Sequence, residues 1–172
     1  MRRVAIIGTG GAGKSTLARQ MGERLGIEVI HLDHLFWHPG WQPTDRERWR
    51  ALQTGLVAGD RWIIDGNYGG TLPLRLVAAD TVVFADLPRR VTIPRVLGRW
   101  WRHPGRDLQA FGCPERWDWD FLRWLWLYPR QSRPQALAAL AEHAGGDTRV
   151  VVLRSPADMA RFLAGLEAGD QT

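Results

Sequence analysis

The chain has 172 residues, 45% of them apolar and 24% charged, with a net charge of +5, enough for one full core and requiring no second domain. Its single cysteine, Cys113, excludes an internal disulfide framework and a multi-cysteine zinc site, and reads as a packing residue. No apolar run approaches the roughly 18 residues of a membrane span, and Met1-Arg2-Arg3 opens no export segment; a cytoplasmic protein with no membrane partner is expected.

In chain order, Arg3-Val4-Ala5-Ile6-Ile7 reads as a buried strand. It runs into Gly8-Thr9-Gly10-Gly11-Ala12-Gly13-Lys14-Ser15, a full match to G-x-x-x-x-G-K-[ST]. Thr16 to Leu25 continues as a helix with Leu17, Met21 and Leu25 four apart, stopped by Gly26. Strand, glycine loop and helix in this order form an anion cradle, because the glycines let backbone amides approach phosphate oxygens. Lys14 is the only lysine among 23 basic residues. An arginine-rich chain that keeps one ammonium here has placed a compact charge on a flexible stem where β and γ phosphates lie. The Ser15 hydroxyl is the matching Mg²⁺ ligand.

Ile27 to Leu32 reads as a second strand ending at Asp33, followed by an aromatic loop, His34 to Trp41. Thr44-Asp45-Arg46-Glu47 has capping-box spacing, and Trp49, Leu52 and Leu56 supply the apolar face of a helix that ends at Gly59-Asp60. Trp62 to Asp65 is a third strand entering the turn Gly66-Asn67-Tyr68-Gly69-Gly70, and Thr81 to Ala85 a fourth leading to Asp86-Leu87-Pro88. Helices are expected from Arg90 to Trp101, from Asp118 to Tyr128 and from Pro134 through His143, with a break at His103-Pro104-Gly105. Thr148 to Leu153 is the fifth strand, Ser155 to Asp158 caps a last helix, and the Gly165 to Thr172 end is expected to fray. Strands alternating with helices predict an α/β fold with a parallel sheet, whose ligands bind at the carboxyl ends of the strands.

From Arg89 to Arg133 stand ten arginines and four carboxylates, so the positive charge is local. Six of the ten tryptophans fall between Trp100 and Trp126. Phe121, Trp124, Leu125 and Tyr128 recur at helical spacing and predict a core stripe. Trp100, Trp101, Trp117, Trp119 and Trp126 leave more aromatic area than one stripe needs, for a packed lid, a stacked base or a partner surface.

These motifs together resemble the P-loop kinases of the adenylate kinase and shikimate kinase type, most closely bacterial proteins called DNA topology modulation proteins or adenylate-kinase-like ATPases. The carrying residues are Gly8 to Thr16, His31 to Trp37, Asp65-Gly66-Asn67-Tyr68, Phe84 to Arg89 and Val152 to Pro156. The resemblance implies a single three-layer P-loop NTPase domain over residues 1–172, with five parallel strands in the order 2-3-1-4-5 and a lid-like helical segment at about 100–133. It further implies ATP and Mg²⁺, with Gly8, Thr9, Gly10, Gly11, Ala12, Gly13, Lys14, Ser15 and Thr16 around the phosphates. On the lid it puts Arg95 near the adenine and Arg99 on the phosphates, with Arg130 and Arg133 on the return arm and Arg154 in the last motif. Asp33 is the expected acceptor-orienting carboxylate, or a turn residue. Phe36, Trp37, Asn67 and Tyr68 are expected on the substrate side. Arg75 is expected to reach an anionic substrate or to form a surface ion pair. Asp65 is expected to hold Mg²⁺ through water, with Asp86 its rival. No metal is assigned to His31, His34 and His38.

Two functions follow. The first is a phosphotransferase moving the ATP γ-phosphate to a nucleoside, nucleotide or alcohol. The second is a nucleotide-dependent regulator that affects DNA topology by binding DNA or a protein through the Arg/Trp segment.

Overall fold

The computed structural model describes residues 1–169. In chain order it runs β1 (Arg3–Gly8), α1 (Lys14–Leu25), β2 (Val29–His31), α2 (Leu32–Phe36), β3 (Trp37–His38), β4 (Gln42–Pro43), α3 (Arg46–Val57), β5 (Trp62–Asp65), a 3-10 turn (Gly69–Thr71), α4 (Leu72–Ala78), β6 (Thr81–Ala85), α5 (Arg89–Arg102), α6 (Trp119–Leu127), α7 (Ser132–His143), β7 (Arg149–Leu153) and α8 (Pro156–Gly169). The main sheet has the order β2-β5-β1-β6-β7, with every pairing parallel. The antiparallel pair β3–β4 stands apart from it. Counted without that hairpin, the sheet strands follow the expected order 2-3-1-4-5.

The central strand explains the layering. Val4, Ala5, Ile6 and Ile7 are all fully buried, as a parallel strand must be when helices cover both faces of the sheet. Alternation then divides them between two cores. Val4 and Ile6 pack with Leu17 and Met21 of α1 and Leu163 of α8. Ala5 and Ile7 pack with Trp49 of α3, Leu72 and Leu76 of α4 and Leu140 of α7. Because all five strands run the same way, the loops after Gly8, His31, Asp65, Ala85 and Leu153 emerge at one edge.

Several local expectations are corrected. The aromatic stretch after Asp33 is not a loop: it forms the short helix α2 and the hairpin β3–β4, turned by Gly40 and by Trp41 at φ 62°. The cap of α3 is Asp45, whose carboxylate accepts from Glu47 N and Arg48 N. Thr44 instead turns inward and hydrogen-bonds Phe36 O at 2.8 Å through its hydroxyl, tying the hairpin together. Leu52 is 38% exposed while Gln53, one step round the helix, is fully buried and donates to Thr71 Oγ1. A hydrogen-bonding partner therefore overrides hydropathy at this position. Helix α4 follows directly on a turn rich in glycine, too short for a periodic signal. At the other end, α8 stays helical through Gly169, and the expected fraying beyond it lies outside the described residues.

Asp80 fastens the opposite edge of the sheet. Its Oδ2 accepts from Arg2 N and Arg3 N, both at 2.8 Å, and Oδ1 accepts from Thr81 Oγ1. Burial would raise its pKa, but the Arg3 amide, the Thr81 hydroxyl and the Arg2 amide outweigh it and hold the carboxyl below its ordinary 3.8. A carboxyl depressed on folding stabilises the protein above its unfolded pKa, and that stability is lost as the pH falls through the folded value. The Asp80→Asn variant should therefore melt lower than wild type at pH 7. Melting curves recorded at decreasing pH should begin to approach each other near the ordinary carboxylate value of 3.8 and converge only below the depressed folded value.

Candidate nucleotide and acceptor site

The glycine loop fits a gap that admits no side chains. At Gly11, φ is 72° and an added Cβ would lie 2.5 Å from Thr92 O of α5 and 2.8 Å from Val96 Cγ2. At Gly10 it would meet Phe121 Cζ of α6 at 2.6 Å. Helices α5 and α6 thus lie directly over the loop, which lacks Cβ atoms at the two places of closest approach. Gly13 caps α1 without a side-chain hydrogen bond, which leaves the first amides of the helix free to face an anion. Ser15 and Thr16 are exposed there, and Lys14 Nζ donates to Thr9 O at 3.0 Å.

Beside the loop, β5 delivers Asp65, only 4% exposed. Its Oδ2 pairs with Nδ1 of His31, the last residue of β2, at 3.1 Å, while Oδ1 is buried with no hydrogen-bond partner. Burial would raise this carboxyl's pKa. The His31 hydrogen bond, the Lys14 charge and the adjacent Ser15 hydroxyl together overcome that and hold it below 3.8. Asp65 is therefore an anion at neutral pH with one oxygen unspent, and that oxygen with the Ser15 hydroxyl suits a hard divalent cation. Asp86, the rival, is occupied: Arg133 donates to it through Nε and Nη2, both at 2.8 Å.

The half of the site where an acceptor is expected is built on Asp33 and the residue that holds it. Tyr68 Oη donates to Asp33 Oδ1 at 2.6 Å. Burial and the Asp33 charge push the Tyr68 pKa up, so the phenol stays protonated and donates. The Tyr68 ring packs against Phe36 and Trp49, with centroids 4.7 and 4.9 Å away. His34, 5.1 Å from the His31 ring, has its pKa lowered by burial and by the His31 charge. It stays largely neutral at pH 7.

One cleft of about 1510 Å³ joins these parts. Gly10 to Thr16, Asp33, Trp37, Asn67, Tyr68, Arg95 and Arg99 all line it. Gly8 and Thr9 stand just behind, Thr9 being 3% exposed. Asp65 does not line the cleft either, being buried behind the loop, and four further expected site residues lie elsewhere. Phe36 packs beneath Tyr68 and does not line the cleft. Arg75 is fully buried, donating from Nη1 to Gly66 O at 2.6 Å and from Nη2 to Tyr68 O at 3.0 Å. It holds the loop that carries Asn67 and Tyr68, so it neither reaches a substrate nor forms a surface ion pair. Burial lowers its pKa to about 10, which still leaves it charged at neutral pH. Arg130 and Arg154 are exposed and do not line the cleft.

The lid residues sort by burial. Trp100 and Leu125 are buried with Val96, and Phe121 and Trp124 pack onto them, giving the expected small core. Trp101, Trp119 and Trp126 are 79%, 73% and 59% exposed. Arg95 Nη1 donates to Ala12 O at 3.3 Å. One turn on, Arg99 Nε donates to Glu115 Oε2 at 3.0 Å. Sequence reasoning did not select His31 or Glu115. For His31 the signal was its place at a strand end two residues before Asp33; an isolated acid in a proline-containing loop gave none for Glu115.

The fold and glycine loop define an α/β protein with the P-loop kinase fold, and no helix among the described residues is long and apolar enough to cross a membrane. Shikimate kinase from Acinetobacter baumannii, solved with shikimate, superposes with a TM-score of 0.55 at 17% identity, covering 100% of this chain and 96% of that one. Shikimate kinase from Bacteroides thetaiotaomicron gives 0.56 at 16% identity over 97% of both chains, and an unliganded sugar kinase from Janibacter sp. HTCC2649 gives 0.51 at 21% over 98% and 96%. At the level of sequence, the uncharacterized protein YqaC of Bacillus subtilis is 26% identical over 155 residues, covering 89% of this chain and 87% of its own. No family model matches the chain.

The close approach at Gly10 makes a specific expectation. Gly10→Ala puts a methyl where Phe121 Cζ now sits, so either α6 lifts or the loop shifts. Titration with ADP and Mg²⁺, followed by tryptophan fluorescence, should show affinity reduced by about tenfold or more, with a core melting temperature changed far less.

Proposed function

We propose that this protein is an ATP-dependent phosphotransferase acting on a small hydroxyl-bearing acceptor: a nucleoside, a nucleotide or another alcohol. The observation that carries the reading is one cleft lined by both the Lys14-bearing loop and the Asp33 carboxylate, with a second carboxylate, Asp65, buried close to Lys14 and Ser15 behind it. Asp65 is buried with a free oxygen, and Asp33 is held by a tyrosine.

The backbone amides of Gly10 to Ser15 and the Lys14 ammonium bind the β and γ phosphates. Ser15 and Asp65 would hold Mg²⁺, which when bound supplies positive charge to the phosphate oxygens. Arg95 and Arg99 add charge from the lid side, where water exclusion strengthens it. Asp33 accepts a hydrogen bond from the acceptor hydroxyl and takes its proton as the oxygen bonds to phosphorus and the bond to the ADP oxygen breaks. Trp37, Asn67 and Tyr68 frame the acceptor. The fold shared with shikimate kinase and with a sugar kinase supports this reading.

The exposed rings of Trp101, Trp119 and Trp126 among arginines favour a second reading, a nucleotide-dependent regulator that binds DNA or a protein. DNA binding that weakens with salt and survives Lys14→Ala would move that reading to the front.

The direct experiment follows ADP release from Mg·ATP over a panel of nucleosides, nucleotides and polyols. One acceptor should raise turnover above the hydrolysis background. Asp33→Asn should lower kcat with that acceptor by about 10²–10⁴-fold while ATP binding is retained, and Lys14→Ala should abolish ATP binding. If no acceptor exceeds background, the phosphotransferase assignment falls.

A further inference from the structure

Glu115 has no assigned role, yet its side chain is fully inaccessible and paired on both oxygens. Oε2 accepts from Arg99 Nε at 3.0 Å and Oε1 from Gln109 Nε2 at 3.0 Å. Its backbone is fixed as well: Glu115 N donates to Arg106 O, and Gly105 N donates to Glu115 O. A buried carboxylate held this way is a rigid mount, because breaking either contact would leave a charge in a poorly solvated site.

What it mounts is one edge of a guanidinium. Arg99 lies four residues beyond Arg95, on the same face of α5. That face packs on the phosphate loop, with Arg95 Nη1 on Ala12 O and Val96 against Gly11. Glu115 occupies the Nε edge of Arg99. Nη2 is buried and has no partner. Buried donors without acceptors are rare in folded proteins, and this one belongs to a side chain that lines the cleft beside the glycine loop, which points to an acceptor oxygen supplied by a ligand.

The segment carrying Glu115 is also latched across the cleft. Gly40 N donates to Gly112 O at 2.8 Å, Trp41 Nε1 donates to Pro114 O at 3.1 Å, and Cys113 Sγ lies 3.2 Å from His38 O. The hairpin side of this latch is the one that brings Trp37 and Trp41 to the acceptor half. Trp41 is held at φ 62°, unfavourable for any residue with a Cβ, and such strain persists only where surrounding contacts enforce it.

We propose that Glu115 is a positioning residue that holds the Arg99 guanidinium with its Nη edge toward the transferring phosphoryl group, and that its loop is kept in register by the acceptor-side hairpin. This rests on the nucleotide-binding reading above. Arg99 touches the phosphoryl oxygens; Glu115 acts only through it.

The test compares affinity for ADP with affinity for ADP plus aluminium fluoride, a mimic of the planar phosphoryl group, both with Mg²⁺. Wild type should bind the fluoride complex more tightly than ADP. Glu115→Gln, of the same size, should lose about tenfold in fluoride-complex affinity with ADP affinity unchanged. Arg99→Gln should lose as much, and the double variant no more than either alone, as expected for residues acting as one unit. Trp41→Phe, which removes the indole donor to Pro114 O while keeping an aromatic ring beside Trp37, should shift the same quantity in the same direction by a smaller factor and guards against a Glu115 variant that fails to fold. A Glu115→Gln protein that binds the mimic as well as wild type, or better, overturns the proposal, as does equal loss of ADP and mimic. Wild type that binds ADP with no gain from aluminium fluoride also overturns it. Failure of wild type to bind ADP at all sinks the nucleotide reading itself.

Discussion

The geometry of the site depends on a stretch of backbone being squeezed from three sides. Gly8 passes so close to β6 that an added Cβ would lie 2.4 Å from Ala85 O, Gly11 is covered by Thr92 and Val96, and Gly10 by Phe121. Strand, lid base and return helix therefore meet on a loop with no side chains at the contacts. These contacts hold the loop against strand and helices while Gly10 to Thr16 line the cleft. A loop with ordinary side chains would hold these helices farther away and leave Arg95 short of Ala12 O.

Charge in the interior is organised around that loop with little redundancy. Asp65 and Arg75 are both nearly inaccessible, but neither is paired with the other. Arg75 spends two nitrogens on the carbonyls of Gly66 and Tyr68, which shapes the turn after β5. Asp65 takes one hydrogen bond from His31 and keeps Oδ1 free. An arginine can neutralise backbone carbonyl dipoles from a buried position because its planar fork satisfies several acceptors at once. The same fork explains Arg133 on Asp86, where two parallel hydrogen bonds close the turn after β6. Arginine in this chain is thus often a structural clamp, and lysine is kept for the anion loop.

The lid follows a different rule. Its core is small, Val96, Trp100 and Leu125 with Phe121 and Trp124 against them, and it lacks the two-sided cover of the sheet. Stability there comes from large rings that each bury much area and from polar ties such as Asp118 capping α6 and Glu115 bridging its loop. Trp101, Trp119 and Trp126 add nothing to that core, so the abundance of tryptophan exceeds what packing uses.

Much was legible from local pattern. The sheet strands, the glycine loop and the break after α5 are carried by apolar runs, by glycines and prolines with fixed backbone preferences, and by spacing within a few residues, whereas the order of the sheet was implied only by the resemblance to P-loop kinases. Lys14, Ser15 and the carboxylates at strand ends were equally visible, since a parallel sheet brings strand ends to one edge whatever the rest does. Contacts between distant segments were not. Arg75 and Arg99 look alike as letters, yet one is sealed beneath a turn and the other lines the cleft, and only packing separates them. The capping residue of α3 moved by one because Thr44 had a stronger partner in Phe36 O, across the hairpin. Glu115 became meaningful only when its loop met α5 and the hairpin together. Sequence by itself determined the sheet strands, the longer helices and the glycine loop, because those depend on neighbours along the chain. Which charges are buried, which are paired and which remain open to a ligand was decided by tertiary structure, because desolvation and hydrogen-bond geometry depend on neighbours in space.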